Sequence, residues 1–187
     1  MADFMTTDYS NNTGGNYEAL PTGNYEMIIN KAQETATKNG AESLQVDLVV
    51  RNDLDKVPDL AATNAKYHNR HVFNDNWKRK ATKQYDMDGL QYILDAVGVP
   101  EGTRIGSMDD FFKLITHKAV KVYIKKEDNE YNGKTTEVNR VAPWNYSKSD
   151  FPEVQHTFKE AEATATTSDP FAGSGQAVDV SDNDLPF

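Results

Sequence analysis

The stretch 120–125 alternates without a break: Val120, Val122 and Ile124 are apolar, and Lys121, Tyr123 and Lys125 stand between them. Side chains leave a strand on opposite faces with a period of two, so this segment offers one face to a core and the other to water. That pattern belongs to an antiparallel sheet with one solvated side. Two Asn-Gly pairs, Asn39-Gly40 and Asn132-Gly133, supply the positive φ that a tight hairpin requires. The alternation recurs around them. Tyr25, Met27 and Ile29 alternate with Asn24, Glu26, Ile28 and Asn30, while Leu44, Val46, Leu48 and Val50 oppose Gln45, Asp47 and Arg51. A third strand is expected over 67–76 and a fifth over 135–142, the latter ended by Pro143-Trp144. Residues 53–66, with Pro58 and a run of small residues, read as a long loop.

Between the third and fourth strands the period becomes helical. Leu90, Ile93, Leu94 and Val97 share a face, and Gly98 and Pro100 supply the stop. Ser107 opens a second short helix with Asp109 and Asp110 in its first turn, near the positive end of the dipole, and Phe111, Phe112, Leu114 and Ile115 form its buried side. Three strands, a helical segment and two strands is the element order of a five-stranded OB-type barrel with its helix between strands three and four, an order that other small α+β folds share. The expected class is mainly β with a helical insertion.

The ends differ from the middle. Residues 1–19 carry Asp3, Asp8 and Glu18 without a base, and 158–187 carry six acids against Lys159. The formal charge of -9 is therefore concentrated in the termini, and the stretch between them is nearly neutral. Only 37% of residues are hydrophobic and the mean hydropathy is -0.73, which fits a chain with unpacked portions. We expect a flexible arm over 1–19, a folded domain over 20–157, a disordered linker over 158–181 containing Gly173-Ser174-Gly175-Gln176, and a distinct tip over 182–187. No apolar run is long enough to span a membrane, no secretory signal pattern opens the chain, and the absence of cysteine fits a cytoplasmic protein.

Within the neutral middle, Lys66, Arg70, Lys78, Arg79, Lys80 and Lys83 face a single acid, Asp75, and are interleaved with Tyr67, Phe73 and Trp77. Cations that track phosphates beside rings on which bases stack are the two requirements of a single-strand groove. The alternative is a solvated basic loop whose rings belong to the core. On the third strand Tyr67, His71, Phe73 and Trp77 share one parity and His68, Arg70 and Val72 the other. A buried Val72 makes Tyr67 and Phe73 platforms; a buried Phe73 makes Arg70 the phosphate contact. The preferred stacking residues are Tyr67 and Trp77, with Lys78, Arg79, Lys80 and Lys83 on the backbone beyond them. Lys121, Tyr123 and Lys125 repeat the combination on one strand, and Tyr131 and Lys134 flank a hairpin tip able to close over a bound strand. Trp144 reads as a core plug ahead of a platform.

The last residues, Asp182-Asn183-Asp184-Leu185-Pro186-Phe187, resemble the acidic tip of bacterial single-stranded DNA-binding proteins, in which acids precede an aliphatic residue, Pro and a final Phe. The body resembles the phage-encoded members of that group from viruses of Firmicutes, through Pro21-Thr22-Gly23-Asn24-Tyr25-Glu26, Asn69-Arg70-His71-Val72-Phe73 and Glu130-Tyr131-Asn132-Gly133-Lys134. Asn183 departs from the tip pattern, where a third acid is usual. The resemblance implies sequence-independent binding and protection of single-stranded DNA during replication, recombination and repair, in the host cytoplasm. It also implies recruitment of replication and recombination proteins through Asp182, Asp184, Leu185, Pro186 and Phe187. A pocket rimmed by Arg or Lys could hold the Phe187 ring and carboxylate together. Self-association is left open, and no membrane partner or cofactor is implied.

Catalytic constellations are thin: there is no phosphate-binding Gly-Lys loop, no Gly-x-Ser-x-Gly and no His-Glu-x-x-His. Strand spacing puts the imidazoles of His68 and His71 on opposite faces, which disfavours a shared metal. The chain is expected not to be an enzyme. The rival readings are an adaptor of a replication complex and a strand-annealing recombination protein.

Overall fold

The computed structural model of the chain describes residues 18–131 and 133–158. The chain divides into two units, Met1–Thr157 and Phe158–Phe187. The expected arm lies outside the described residues up to 17; the linker beyond Phe158 and the whole of the tip lie outside them too.

The described part is an antiparallel sheet with short helices. β1 (Gly23–Ala36) pairs with β2 (Glu42–Val50) and β4 (Ala119–Tyr131); β2 continues to β3 (His71–Trp77), and β4 to β5 (Lys134–Arg140) and the short β6 (Tyr146–Lys148). The path β3-β2-β1-β4-β5 is open. The closed five-stranded barrel expected from the element order is thus corrected to an open sheet: among the described residues no ladder joins β3 to β5. A side-chain link crosses part of the gap, Asn74 Nδ2 on β3 donating to the Tyr146 hydroxyl on β6 at 2.9 Å. Both Asn-Gly sites are hairpins: Gly40 has φ +75° in the loop joining β1 to β2, and Gly133 has φ +71° between the paired Tyr131 and Lys134.

The alternations place the core. Tyr25, Met27, Ile29, Leu44, Val46, Leu48, Val50, Val72, Val120, Val122 and Ile124 meet on one side of the sheet. Removing such an aliphatic side chain from water contributes about 1.5–3 kcal/mol. α1 (Met87–Ala96) and α2 (Met108–Ile115) cover this side with Leu90, Ile93, Phe111 and Ile115. The expected N-cap is present: Ser107 Oγ accepts from the Asp110 N–H at 3.1 Å, a contact generally contributing about 1 kcal/mol. Both helices fall between β3 and β4.

Two expectations change. Residues 53–66 are not a plain loop: a 3-10 turn at Pro58–Leu60 leads into a π-helical turn at Ala61–Ala65, consistent with the helix preference of its alanines. Its buried Asn64 takes the place of a strand partner, accepting from the Glu26 N–H at 3.0 Å and donating to the Glu26 carbonyl at 2.7 Å. The helical path continues through Lys66 and Tyr67, so β3 begins at His71 rather than at 67.

A register shift in β1 between Ile29 and Lys31 reverses the parity of its second half. Lys31, Gln33 and Thr35 thereby join Asp47, Gln45 and Ser43 of β2 on the side away from the core. That outer side carries the candidate site.

Candidate nucleic-acid interface

Val72 is buried, so the opposite parity of β3 points outward, and His71, Phe73, Asp75 and Trp77 are exposed. Phe73 is 57% and Trp77 48% accessible, unusually open for rings of this size. They stand four residues apart, about 13 Å along a strand. The strand partners of this row are polar: Trp77 lies opposite Ser43, Asp75 opposite Gln45 and Phe73 opposite Asp47. Ser43 Oγ and Gln45 Nε2 donate to Asp75 Oδ1 at 3.1 and 3.2 Å, fixing the carboxylate between the rings. Beyond Trp77 the chain makes a loop closed by the Arg79 N–H to the Gln84 carbonyl and the Lys83 N–H to the Arg79 carbonyl, each 2.8 Å. Lys80 and Lys83 project from it, exposed and without an ion pair among the described residues.

Its other two cations are engaged. Lys78 Nζ lies 2.6 Å from Glu42, 3.8 Å from Glu34 and 5.0 Å from the Tyr85 ring centroid. The Glu42 hydrogen bond holds its ammonium above the usual lysine range. Arg79 pairs with Asp86 at 3.2 Å. Lys78 therefore joins the β1–β2 hairpin to the start of this loop.

Tyr67 is corrected from a strand platform to a half-buried residue of the preceding helical turn. Its ring stands edge-on to Tyr25, 6.2 Å between centroids. Burial, then the Tyr67 hydroxyl, pushes the Tyr25 phenol up to about 12, partly opposed by Arg70. Arg70 donates to the Glu18 carbonyl, so it anchors the entry of the chain.

On β4, Lys121, Tyr123 and Lys125 do point away from the core, opposite Val120, Val122 and Ile124. Tyr123 is 40% accessible. Both oxygens of Asp150 accept from Lys121 Nζ at 2.8 and 2.9 Å, and Lys125 pairs with Glu127 at 2.6 Å. Tyr131 and Lys134 face each other as the last pair of the β4–β5 hairpin, and both are exposed. The structure brings Phe73, Trp77, Lys80 and Lys83 onto one strand and its exit. Tyr123 with its lysines stands three steps along the sheet path, and Tyr131 and Lys134 at the hairpin tip.

A strap over 149–157 covers part of the outer side. Its centre is Arg51, fully buried, whose guanidinium binds both Asp53 oxygens at 2.9 and 2.5 Å and the carbonyls of Phe151 and Glu153 at 2.5 and 2.6 Å. Glu26, also buried, accepts from the Ser149 hydroxyl at 2.5 Å and the Asp150 N–H at 3.2 Å. Asn52 exchanges hydrogen bonds with Thr157, and its N–H donates to His156 Nδ1 at 3.1 Å. Burial alone would raise the Asp53 carboxyl, but Arg51 and the Gln155 N–H hold it below the usual range; burial raises Glu26. No alternation marks 149–157, so no local pattern signals this cover.

Trp144, read as a core plug, is 70% accessible on the 3-10 turn Pro143–Asn145. Pro143 fills the space beside α1 instead: a Cβ on Gly89 would meet its Cγ at 3.3 Å. Among the described residues no cluster of three His, Cys, Asp or Glu is placed to hold a metal, and no helix is long and apolar enough to cross a membrane.

The chain belongs to the family described as "Protein of unknown function (DUF669)", whose model matches residues 5–169. No curated protein matches it. Three chains of solved structures do. One, described as "Yeast RPA bound to ssDNA", is 8% identical with a TM-score of 0.31, over 75% of this chain and 88% of that one. At that TM-score the likeness carries no argument for this chain.

Proposed function

We propose that the outer side of β3, with the loop that leaves it, binds single-stranded DNA without sequence choice and without catalysis. The supporting observation is one continuous arrangement: two half-open rings, Phe73 and Trp77, followed within a few residues by the exposed Lys80 and Lys83, which have no ion pair among the described residues. Stacking on such rings contributes about 1–3 kcal/mol per base and accepts any base. Asp75 sits between the rings, so the phosphates run toward the lysine loop, and Gln45 and Asp75 are left to meet base edges. Tyr131 and Lys134 are the reserve pair at the hairpin tip, and Tyr123 is a further ring beyond the strap. Protection of single strands in replication, recombination and repair, in a host cytoplasm, extends this reading. So does recruitment of partner proteins by Asp182, Asp184, Leu185, Pro186 and Phe187, and the support for both is the sequence resemblance.

Titration of labelled oligo-dT followed by anisotropy at two salt concentrations tests the reading. With Lys80, Lys83 and Lys134 as the free cations on these elements, the log–log salt slope should be about -2, at roughly 0.7 per phosphate neutralised on a single strand. No saturable binding at low salt would remove the proposal. The second reading, a protein adaptor, draws on Trp144 and on Tyr92 of α1, both exposed and neither on β3. It predicts silence in the same titration.

A further inference from the structure

His71 opens β3 on the same side as Phe73 and Trp77, and its ring lies nearly parallel to that of Phe73, 6.1 Å between centroids with 18° between planes. Its Nδ1 is 2.8 Å from Asp47 Oδ1 on the neighbouring strand, while Asp47 Oδ2 accepts from Asn30 Nδ2 at 2.7 Å. Asp47 is nearly buried and the His71 side chain is 44% exposed. Asn30 therefore fixes the carboxylate, and the carboxylate fixes the imidazole. A carboxylate on Nδ1 selects the tautomer with its hydrogen there, leaving Nε2 as an acceptor that has nothing to give a phosphate. A second proton turns Nε2 into a charged donor.

We propose that His71 is a proton-linked contact to the single strand: stacked beside Phe73 and oriented by Asp47, it presents Nε2 to a backbone phosphate and holds it when protonated. The inference rests on the reading of β3 as the single-strand side. The charged and titratable groups around His71 are compatible with it. Asp47 faces it from β2, and Lys31 of β1 lies opposite Asp47 in the register. The strap contributes His156, with Arg51 and Asp53 behind it. Burial first, then the charges of Arg51 and His71, hold the His156 imidazole below its ordinary range against the pull of Asp53. His156 Nδ1 already accepts the Asn52 N–H, so that nitrogen is not offered to a bound strand. A bound phosphate adds a second anion beside the imidazole and favours its proton. By linkage, the proton favours the phosphate equally.

The test uses the full chain and labelled oligo-dT at constant ionic strength, from about pH 8 to about pH 5.5, the range over which imidazoles change charge. Affinity should rise roughly threefold to tenfold as the pH falls, the effect of one added charge-assisted contact. His71→Phe keeps a ring but loses this rise, and Asp47→Asn, which no longer orients a charged imidazole, shrinks it. His68→Gln, at a residue paired with Asp55 at 2.9 Å and not on β3, retains it. Binding that is flat with pH, or a full rise in His71→Phe, overturns the role of His71 and leaves β3 as the binding side. Absence of binding at every pH overturns both.

Discussion

On β3 the outward alternation leaves Phe73 and Trp77 open, with two lysines just beyond that have no ion pair among the described residues. On β4 the same alternation delivers Lys121 to Asp150 and Lys125 to Glu127, and leaves Tyr123 as the one exposed ring of that triplet. Both strands carry rings and cations on the side away from the core. What separates them is a segment far off in sequence, 149–157, which crosses the outer side at Glu26 and Arg51 and ends on Asn52. Alternation fixes which side a residue faces, whereas accessibility is set by whatever else lies on that side.

The largest effect should come from removing the strap's centre. Arg51→Ala leaves the Asp53 carboxylate and two carbonyls without their partner in a buried place, a change that costs about 3–5 kcal/mol. Chemical denaturation measures it. A loss under about 1 kcal/mol would mean that the strap lies loosely and the two ends of the side are one surface.

Next come the rings. Trp77→Ala and Phe73→Ala should each weaken oligo-dT binding by about 1–3 kcal/mol with little change in the denaturation midpoint, since both rings are half open. Tyr123→Ala, beyond the strap, should cost under about 1 kcal/mol of binding. Equal losses at Tyr123 and Trp77 would show that the strand runs over the strap and joins both ends.

A smaller effect separates the acids beneath the strap. Burial raises Glu26 in the folded chain, so its contribution to stability is present at low pH and is lost as the pH rises through its folded value. Asp53, held low, does the reverse: its contribution is present above the ordinary carboxylate range and is lost as the pH falls through its folded value. Glu26→Gln should remove the first dependence and keep the second. Unfolding midpoints from about pH 4 to pH 7 should therefore fall less with rising pH in the variant than in the parent; parallel profiles would contradict the assignment. The smallest change is expected at Lys125→Ala, whose exposed cation is already paired with Glu127: about 0.5 kcal/mol or less in binding.

Much of this architecture could be read before any coordinates. The periods of two in β1, β2 and β4, the Asn-Gly turns, the Ser107 cap and the placement of the helices were all local patterns. The departures were non-local. The early part of 67–76 became helical because the alanine run before it favours a helix and Asn64 ties that turn to β1, carrying Tyr67 toward Tyr25. Trp144 is outside because Pro143 already fills the gap beside Gly89. The barrel stays open because closing it requires β3 and β5 to meet, a pairing that no local pattern encodes. At the site, Phe73, Trp77, Lys80 and Lys83 were legible as types at the right spacing. His71 was hidden, since its role depends on Asp47 across the ladder, and the ion pairs of Lys78 were not legible because its partners Glu34 and Glu42 come from another hairpin.

The sequence contains two tryptophans, and replacing one isolates the other. In Trp144→Phe the fluorescence comes from Trp77 alone, at the centre of the proposed binding side. Titration with oligo-dT at low salt should quench it saturably, with the same midpoint that anisotropy of the labelled oligonucleotide gives. Binding seen by anisotropy with the Trp77 emission unchanged would place the strand elsewhere on the molecule and contradict the account.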